Sequence, residues 1–243
     1  MLRESYLKKE KVMENETVRK NHQIYRLDSG SGQGSNKIMD ITDVNPEPVL
    51  ISFGEKDDNG KKLYQPRYAL NYTKYDKNGE AGSKSQAQTS HWVDTATLLS
   101  LCNDMLFRKK GEMTAPGSNL YKPILSEFKG SNEGDLGLMS RVLTVTYSSH
   151  IKIGDDLQVR KTGPVYEFRF KKGPGEAGNN GQIMPIKGKP SIIDETFAVV
   201  VDAPGSADAK RFANQVLNYV NAKTTAAIMR NYFFSPIMKA LKE

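Results

Sequence analysis

Leu63-Tyr64-Gln65-Pro66-Arg67-Tyr68-Ala69-Leu70-Asn71-Tyr72-Thr73-Lys74-Tyr75 is the stretch on which the reading of this chain turns. If it is extended, its side chains alternate. Tyr64, Tyr68, Leu70 and Tyr72 take one face, and Gln65, Arg67, Asn71, Thr73 and Tyr75 take the other. Such a strand packs one face and leaves the other polar. Aromatic planes beside cations also suit single-stranded nucleic acid, because bases stack on rings at roughly 1–3 kcal/mol each while cations meet phosphates. An ordinary two-sided sheet strand explains the same letters, since tyrosine favours strands.

Working outward, residues 23–27, 37–42 and 49–54 read as short strands. A glycine- and serine-rich loop covers 29–35, and Asp57-Asp58-Asn59-Gly60 reads as a hairpin turn. The opening stretch is then a fourth strand. A polar loop over 76–90 leads to Trp92 and to a helix capped by Asp94 or Thr95. Its stripe is Leu98, Leu101, Cys102, Met105 and Leu106, ended by Arg108-Lys109-Lys110-Gly111. Residues 111–140 are loop-rich, and strands return at 141–149, 157–161 and 165–172. In the last of these, Tyr166, Phe168 and Phe170 share one face, and Glu167, Arg169 and Lys171 the other. A loop at 172–181 and strands at 182–186 and 196–201 precede a second helix. Ser206 caps it, and Ala209, Phe212, Ala213, Val216, Leu217 and Val220 form its buried stripe. The expected fold is α+β, with two antiparallel sheets of about four strands, each followed by a helix. One domain spans 22–221, between a lysine- and glutamate-rich arm at 1–21 and an apolar helical tail at 222–243.

The composition is that of a folding, soluble chain, with 37% hydrophobic and 26% charged residues over 243 positions. A formal charge of +7 favours polyanionic partners, because neutralised phosphates release counterions. No run reaches the ~20 apolar residues of a spanning helix, and no signal segment is read at the start, so a cytoplasmic protein without a membrane partner is expected. The single Cys102 cannot form an internal disulfide and reads as a core residue.

Catalytic and cofactor motifs do not stand out. His22, His91 and His150 lie far apart, without metal-ligand spacing. Gly30-Ser31-Gly32-Gln33-Gly34 does not match a dinucleotide or P-loop signature, and no nucleophile elbow occurs. Asp57-Asp58 and Asp155-Asp156 read as solvated turns. A binding protein rather than an enzyme is expected, with no cofactor and no metal. The candidate nucleic-acid-binding residues are Lys61, Lys62, Tyr64, Arg67, Tyr68, Tyr72 and Lys74, with Lys152, Arg160, Tyr166, Arg169 and Lys171 from the second half. Aromatics would stack, and cations would hold the backbone; several of the set are expected to be core or merely solvated.

Four strands, a helix, four strands and a helix in a basic chain resemble the Whirly family of single-stranded nucleic-acid-binding proteins. His91-Trp92-Val93-Asp94-Thr95-Ala96-Thr97-Leu98-Leu99-Ser100-Leu101 is similar to that family's passage from an aromatic strand into its first helix. Arg141-Val142-Leu143-Thr144-Val145 is similar to its fifth strand, and Phe197-Ala198-Val199-Val200-Val201 with the helix through Val220 to its last strand and long helix. Where the family carries Lys-Gly-Lys-Ala-Ala, this chain has Gln33-Gly34-Ser35-Asn36-Lys37-Ile38-Met39. The resemblance implies two roughly perpendicular sheets per monomer, helices joining four monomers, and a strand held along sheet edges with bases in apolar niches. A related guide-RNA-binding group shares the fold, so DNA and RNA both stay open. The expectation is a largely sequence-independent, homo-oligomeric single-stranded DNA-binding protein, serving replication, recombination or transfer in a phage, plasmid or mobile element. The alternative is a structural or assembly protein of a virion or secretion complex.

Overall fold

Alternation in the tyrosine-rich run is largely realised: Tyr68, Leu70 and Tyr72 are buried, Arg67 and Tyr75 are exposed, and Asn71 and Thr73 lie between, while the small Ala69 is buried on the polar face. The computed structural model describes residues 22–28, 36–44, 67–76, 85–108, 123–153, 158–178, 182–201 and 208–229. Strands β1 (His22–Asp28), β2 (Lys37–Asp43), β3 (Arg67–Tyr75) and β4 (Ser85–Asp94) form an antiparallel sheet in sequence order. Helix α1 (Thr95–Phe107) follows at once. Its first turn is closed by the Asp94 carboxylate, which accepts the Thr97 amide at 2.7 Å.

The second sheet holds β5 (Leu125–Asn132), β6 (Leu138–Ile153), β7 (Gln158–Ala177), β8 (Ile183–Pro185) and β9 (Ile193–Val200), all paired antiparallel, with β9 on β7 beside β8. A 3-10 turn at Gly134–Leu136 joins β5 to β6. Helix α2 (Ala209–Ile228) closes the described chain, capped by Asp208, whose carboxylate accepts the Lys210 amide at 2.8 Å.

Both sheets and both helices share one core. Met39, Ile41 and Leu70 meet Leu143, Val145, Phe168, Phe170 and Phe197, with Leu98, Cys102, Phe212 and Val216 from the helices. Each such buried side chain contributes roughly 1.5–3 kcal/mol by leaving water. The Cys102 thiol is pushed up to about 12 by burial, as fits a packing residue. Polar fasteners cross between layers. The Tyr166 hydroxyl donates to Asp104 Oδ2 at 2.9 Å, and the Tyr219 hydroxyl and Lys223 ammonium of α2 donate to the fully buried Asp43 at 2.9 and 2.6 Å. No helix among the described residues is long and apolar enough to cross a membrane.

The α+β class and the two antiparallel sheets agree with the sequence reading, while several boundaries do not. The tyrosine run is the third described strand, and the expected strand at 49–54, the turn at 57–60 and the acidic pair Asp155-Asp156 lie outside the described residues. Residues 85–90 of the expected loop at 76–90 belong to β4, while 77–84 lie outside the described residues, and the loop-rich 111–140 contains β5. Those strands are polar and take their hydrogen bonds from sheet neighbours, which hydrophobic periodicity does not register. The strands expected at 157–161 and 165–172 are one strand, which continues through the glycine-rich segment to Ala177 and pairs there with β8. Asp208, not Ser206, caps α2, which runs past the expected domain end at 221 to Ile228. The first sheet has four strands and the second five, against an expectation of about four each.

Candidate nucleic-acid interface

Cross-strand register collects the polar face of the first sheet. Arg67, Ala69 and Asn71 of β3 stand opposite Asp94, Trp92 and Ser90 of β4, and directly opposed residues share a face. Inward on β4 point Thr89, His91 and Val93, all buried; outward points the indole of Trp92, 49% exposed. This is the only tryptophan in the chain. Its neighbour across the ladder is the small Ala69, which leaves a step beside the ring. Below that step the floor is rigidly hydrogen-bonded. The Asn71 amide donates to Asp40 Oδ1 at 2.7 Å and to Thr42 Oγ1 at 3.2 Å, and its carbonyl accepts from Ser90 Oγ at 2.7 Å. Burial holds the Asp40 carboxyl above the usual range, partly offset by Asn71 and Arg26.

The opposite wall comes from β5 and β6. Lys129, Gly130, Ser131 and Arg141 face Arg67, Asn71, Ser90 and Trp92 across an open cleft of about 680 Å³. Arg141 is braced by Ser131 Oγ at 2.8 Å and by Glu133, which also takes Lys172 at 2.8 Å. Those two cations hold the Glu133 carboxyl below its usual range, Lys172 first, against a burial effect of opposite sign. Lys129 is 47% exposed and lies 4.0 Å from Glu127. Three cations thus line the cleft. The one carboxylate among the described residues that line it, Asp94, is engaged in capping α1.

Beneath the cleft, His91 Nε2 meets Glu127 Oε2 at 3.2 Å, and Thr97 Oγ1 donates to the other carboxylate oxygen at 3.3 Å. His91 precedes Trp92 and Glu127 is two residues from Lys129, so this contact ties together the strands that carry the two walls. The His91 bond, aided by Lys129 and Thr97, holds the Glu127 carboxyl below its usual range despite burial. His91 Nδ1 is the one buried side-chain polar atom without a partner among the described residues.

No protein-family model, curated protein or solved structure matches this chain. The interface is therefore read from its own residues.

Of the seven expected residues whose side chains are described, Arg67 alone lines this cleft. Tyr68, Tyr72 and Tyr166 are corrected: their rings are 1%, 0% and 0% exposed, so no base can stack on them here. Burial pushes the Tyr68 hydroxyl up to about 12, and raises those of Tyr72 and Tyr166 further beside Glu195 and Asp104. The Tyr72 ring instead stacks on Phe170 at 5.4 Å, and its hydroxyl donates to Glu195. Lys74 sits seven residues from Arg67, about 23 Å along an extended strand. There it pairs with Glu195 at 2.8 Å, beside Lys37 at 3.0 Å, and so joins the two sheets. Arg169 forms a two-pronged bond to Asp194 at 2.6 and 2.7 Å on the outer face of the second sheet, with Lys171 3.4 Å from the same carboxylate. Lys61, Lys62 and Tyr64 lie outside the described residues. Lys152 and Arg160 belong to β6 and β7, but their side chains lie outside the described set.

Trp92, Asn71, Ser90, Lys129 and Arg141 were not among the expected site residues. A signal for Trp92 existed in the order Thr89-Ser90-His91-Trp92-Val93: if Val93 packs inward, alternation sends Trp92 outward.

Proposed function

We propose that this protein is a non-enzymatic, largely sequence-independent single-stranded DNA-binding protein. In this reading the cleft between the first sheet and the β5–β6 wall receives the strand. The observation that carries it is the half-exposed Trp92, set on a hydrogen-bonded polar floor between Arg67 and Lys129. A base stacks on the indole, and the two cations meet the flanking phosphates. A net charge of +7 attracts the polyanion at longer range. Single-stranded RNA offers the same rings and phosphates, so the two polymers are compared directly in the test. The resemblance to the Whirly family points the same way and adds a homo-oligomer, which the mass of the protein with and without oligonucleotide examines.

The test uses the lone tryptophan as reporter. Titration with an oligothymidylate, and in parallel with an oligouridylate of the same length, is expected to quench Trp92 fluorescence, more tightly with the DNA. The logarithm of affinity should fall linearly with the logarithm of salt, with a slope of about −0.7 per phosphate contacted. Replacement of Trp92 by alanine, read by gel shift because that variant has no tryptophan, should weaken binding about 5- to 150-fold, the equivalent of one stacked base. Absence of quenching at low salt, or binding indifferent to Trp92→Ala, would overturn the proposal.

A further inference from the structure

The β5–β6 pair has two faces, and the cleft uses only one. On the outer face, Phe128 of β5 stands opposite Val142 of β6, which stands opposite Lys171 of β7. The segment 183–191 folds back over this face. Ile183 sits directly on Gly130 and Gly175, where a Cβ would overlap it, so glycine is required at both positions. The overhang is held by backbone bonds from Ile186 to Pro174 O at 3.2 Å and from Ile192 to Lys172 O at 2.7 Å, with a turn at Gly188 (φ 80°) between them.

The result is a second, preformed niche of about 350 Å³, at the small end of the ~300–1,000 Å³ range of ligand sites. Phe128, Val142 and Pro174 supply an apolar wall, and Lys171 and Lys189 supply charge; no acidic residue lines it among the described residues. Asp194 lies 3.4 Å from Lys171, but its oxygens are shared with the closer guanidinium of Arg169. Lys189 is exposed and has no ion-pair partner among the described residues. A half-buried ring beside two ammonium groups, with no competing carboxylate in the lining, suits a base and its phosphate.

Niche and cleft back onto the same strand. Gly130, whose outer side Ile183 covers, borders the cleft with its backbone, and Phe128 lines the niche two residues, or about 7 Å of strand, further along. Among the described residues β5 is an edge strand, so no further described strand of its sheet separates the two. We infer that a single strand held at Trp92 crosses the β5 edge and places a further base against Phe128, with its phosphate at Lys171 and Lys189. This inference rests on the cleft reading given above.

Two oligothymidylates, of about 4 and about 16 nucleotides, separate the alternatives, because the short one fills one site while the long one spans both. Trp92 fluorescence reports cleft occupancy for each. The full-length wild-type chain should bind the long oligonucleotide more tightly than its extra length alone provides. Phe128→Ala should weaken the long complex about 5- to 150-fold and leave the short one unchanged. Lys189→Ala, an exposed position outside the core, should flatten the salt slope of the long complex alone by about 0.7, and it carries the test should Phe128→Ala fail to fold. If both variants affect the two oligonucleotides equally, or neither, while Trp92 is still quenched, the niche is refuted and the cleft stands. If neither oligonucleotide quenches Trp92, both readings fall together.

Discussion

Lys223→Met removes the ammonium that lies 2.6 Å from a carboxylate with no solvent exposure. Asp43 is 0% exposed and the Lys223 side chain 8%, so the pair is buried at the junction of β2 and α2. The same ammonium stands 5.7 Å from the Tyr68 ring centre, which adds a cation–π contact. Removing one partner of a buried pair typically costs 3–5 kcal/mol, because the remaining charge has lost its water without recompense. The Tyr219 hydroxyl still donates to Asp43 and keeps the loss from reaching that ceiling. A value of about 3–4 kcal/mol follows, and at about 2–4 °C per kcal/mol for a domain of this size Tm falls by roughly 6–16 °C. Calorimetric unfolding measures it, and Asp43→Asn combined with Lys223→Met should recover at least half of the loss, since a neutral amide needs no counter-charge. A single-variant loss below about 1 kcal/mol, or a double variant no better than the single, would refute this account of the junction.

The two faces of β3 make separable predictions. Tyr68→Ala should cost roughly 3–5 kcal/mol of stability, as for other buried aromatics, whereas Arg67→Ala should leave Tm within about 1 °C and flatten the salt slope of oligonucleotide binding by about 0.7. The reverse pattern would place the binding face on the wrong side of the strand. Acid sensitivity follows from Glu195, on which burial acts upward but the Lys74 and Lys37 ammoniums together bring the carboxyl below its ordinary 4.5. A folded value below the unfolded one means that this stabilisation is complete above about pH 4.5 and is lost as pH falls through the lower value. Glu195→Gln should therefore lower Tm at pH 7 and flatten the acid limb of a Tm-against-pH curve. A limb unchanged in steepness would rule Glu195 out as a contributor.

The cleft was the hardest feature to read ahead of the structure. Its walls are β4 and β5, Ser85–Asp94 and Leu125–Asn132, whose polar letters carry little periodic hydrophobicity. What makes them strands is pairing with β3 and β6, a property of their neighbours. The expected tyrosines failed as ligand platforms for a related reason. Tyr68, Tyr72 and Tyr166 are apolar rings with one polar tip, and each found an internal partner near that tip: Thr95 for the first, Glu195 and Asp104 for the others. A ring so placed gains more from the core than from water.

Local patterning by itself determined the α+β class, both helix stripes and the alternation of β3 and of Tyr166 to Lys171, because the 3.6- and 2-residue periods of side-chain direction are properties of the backbone. Which of two alternating faces turns inward is not such a property. It depends on what the other layer presents, here Phe170, Glu195 and the helix α2 against Tyr72 and Tyr68. Only the tertiary structure brought Arg67 within one cleft of Lys129 and Trp92, set Lys74 and Arg169 against their carboxylates, and left one tryptophan facing out. The physical reason is that side-chain direction is local, whereas exposure and charge pairing depend on how the layers meet.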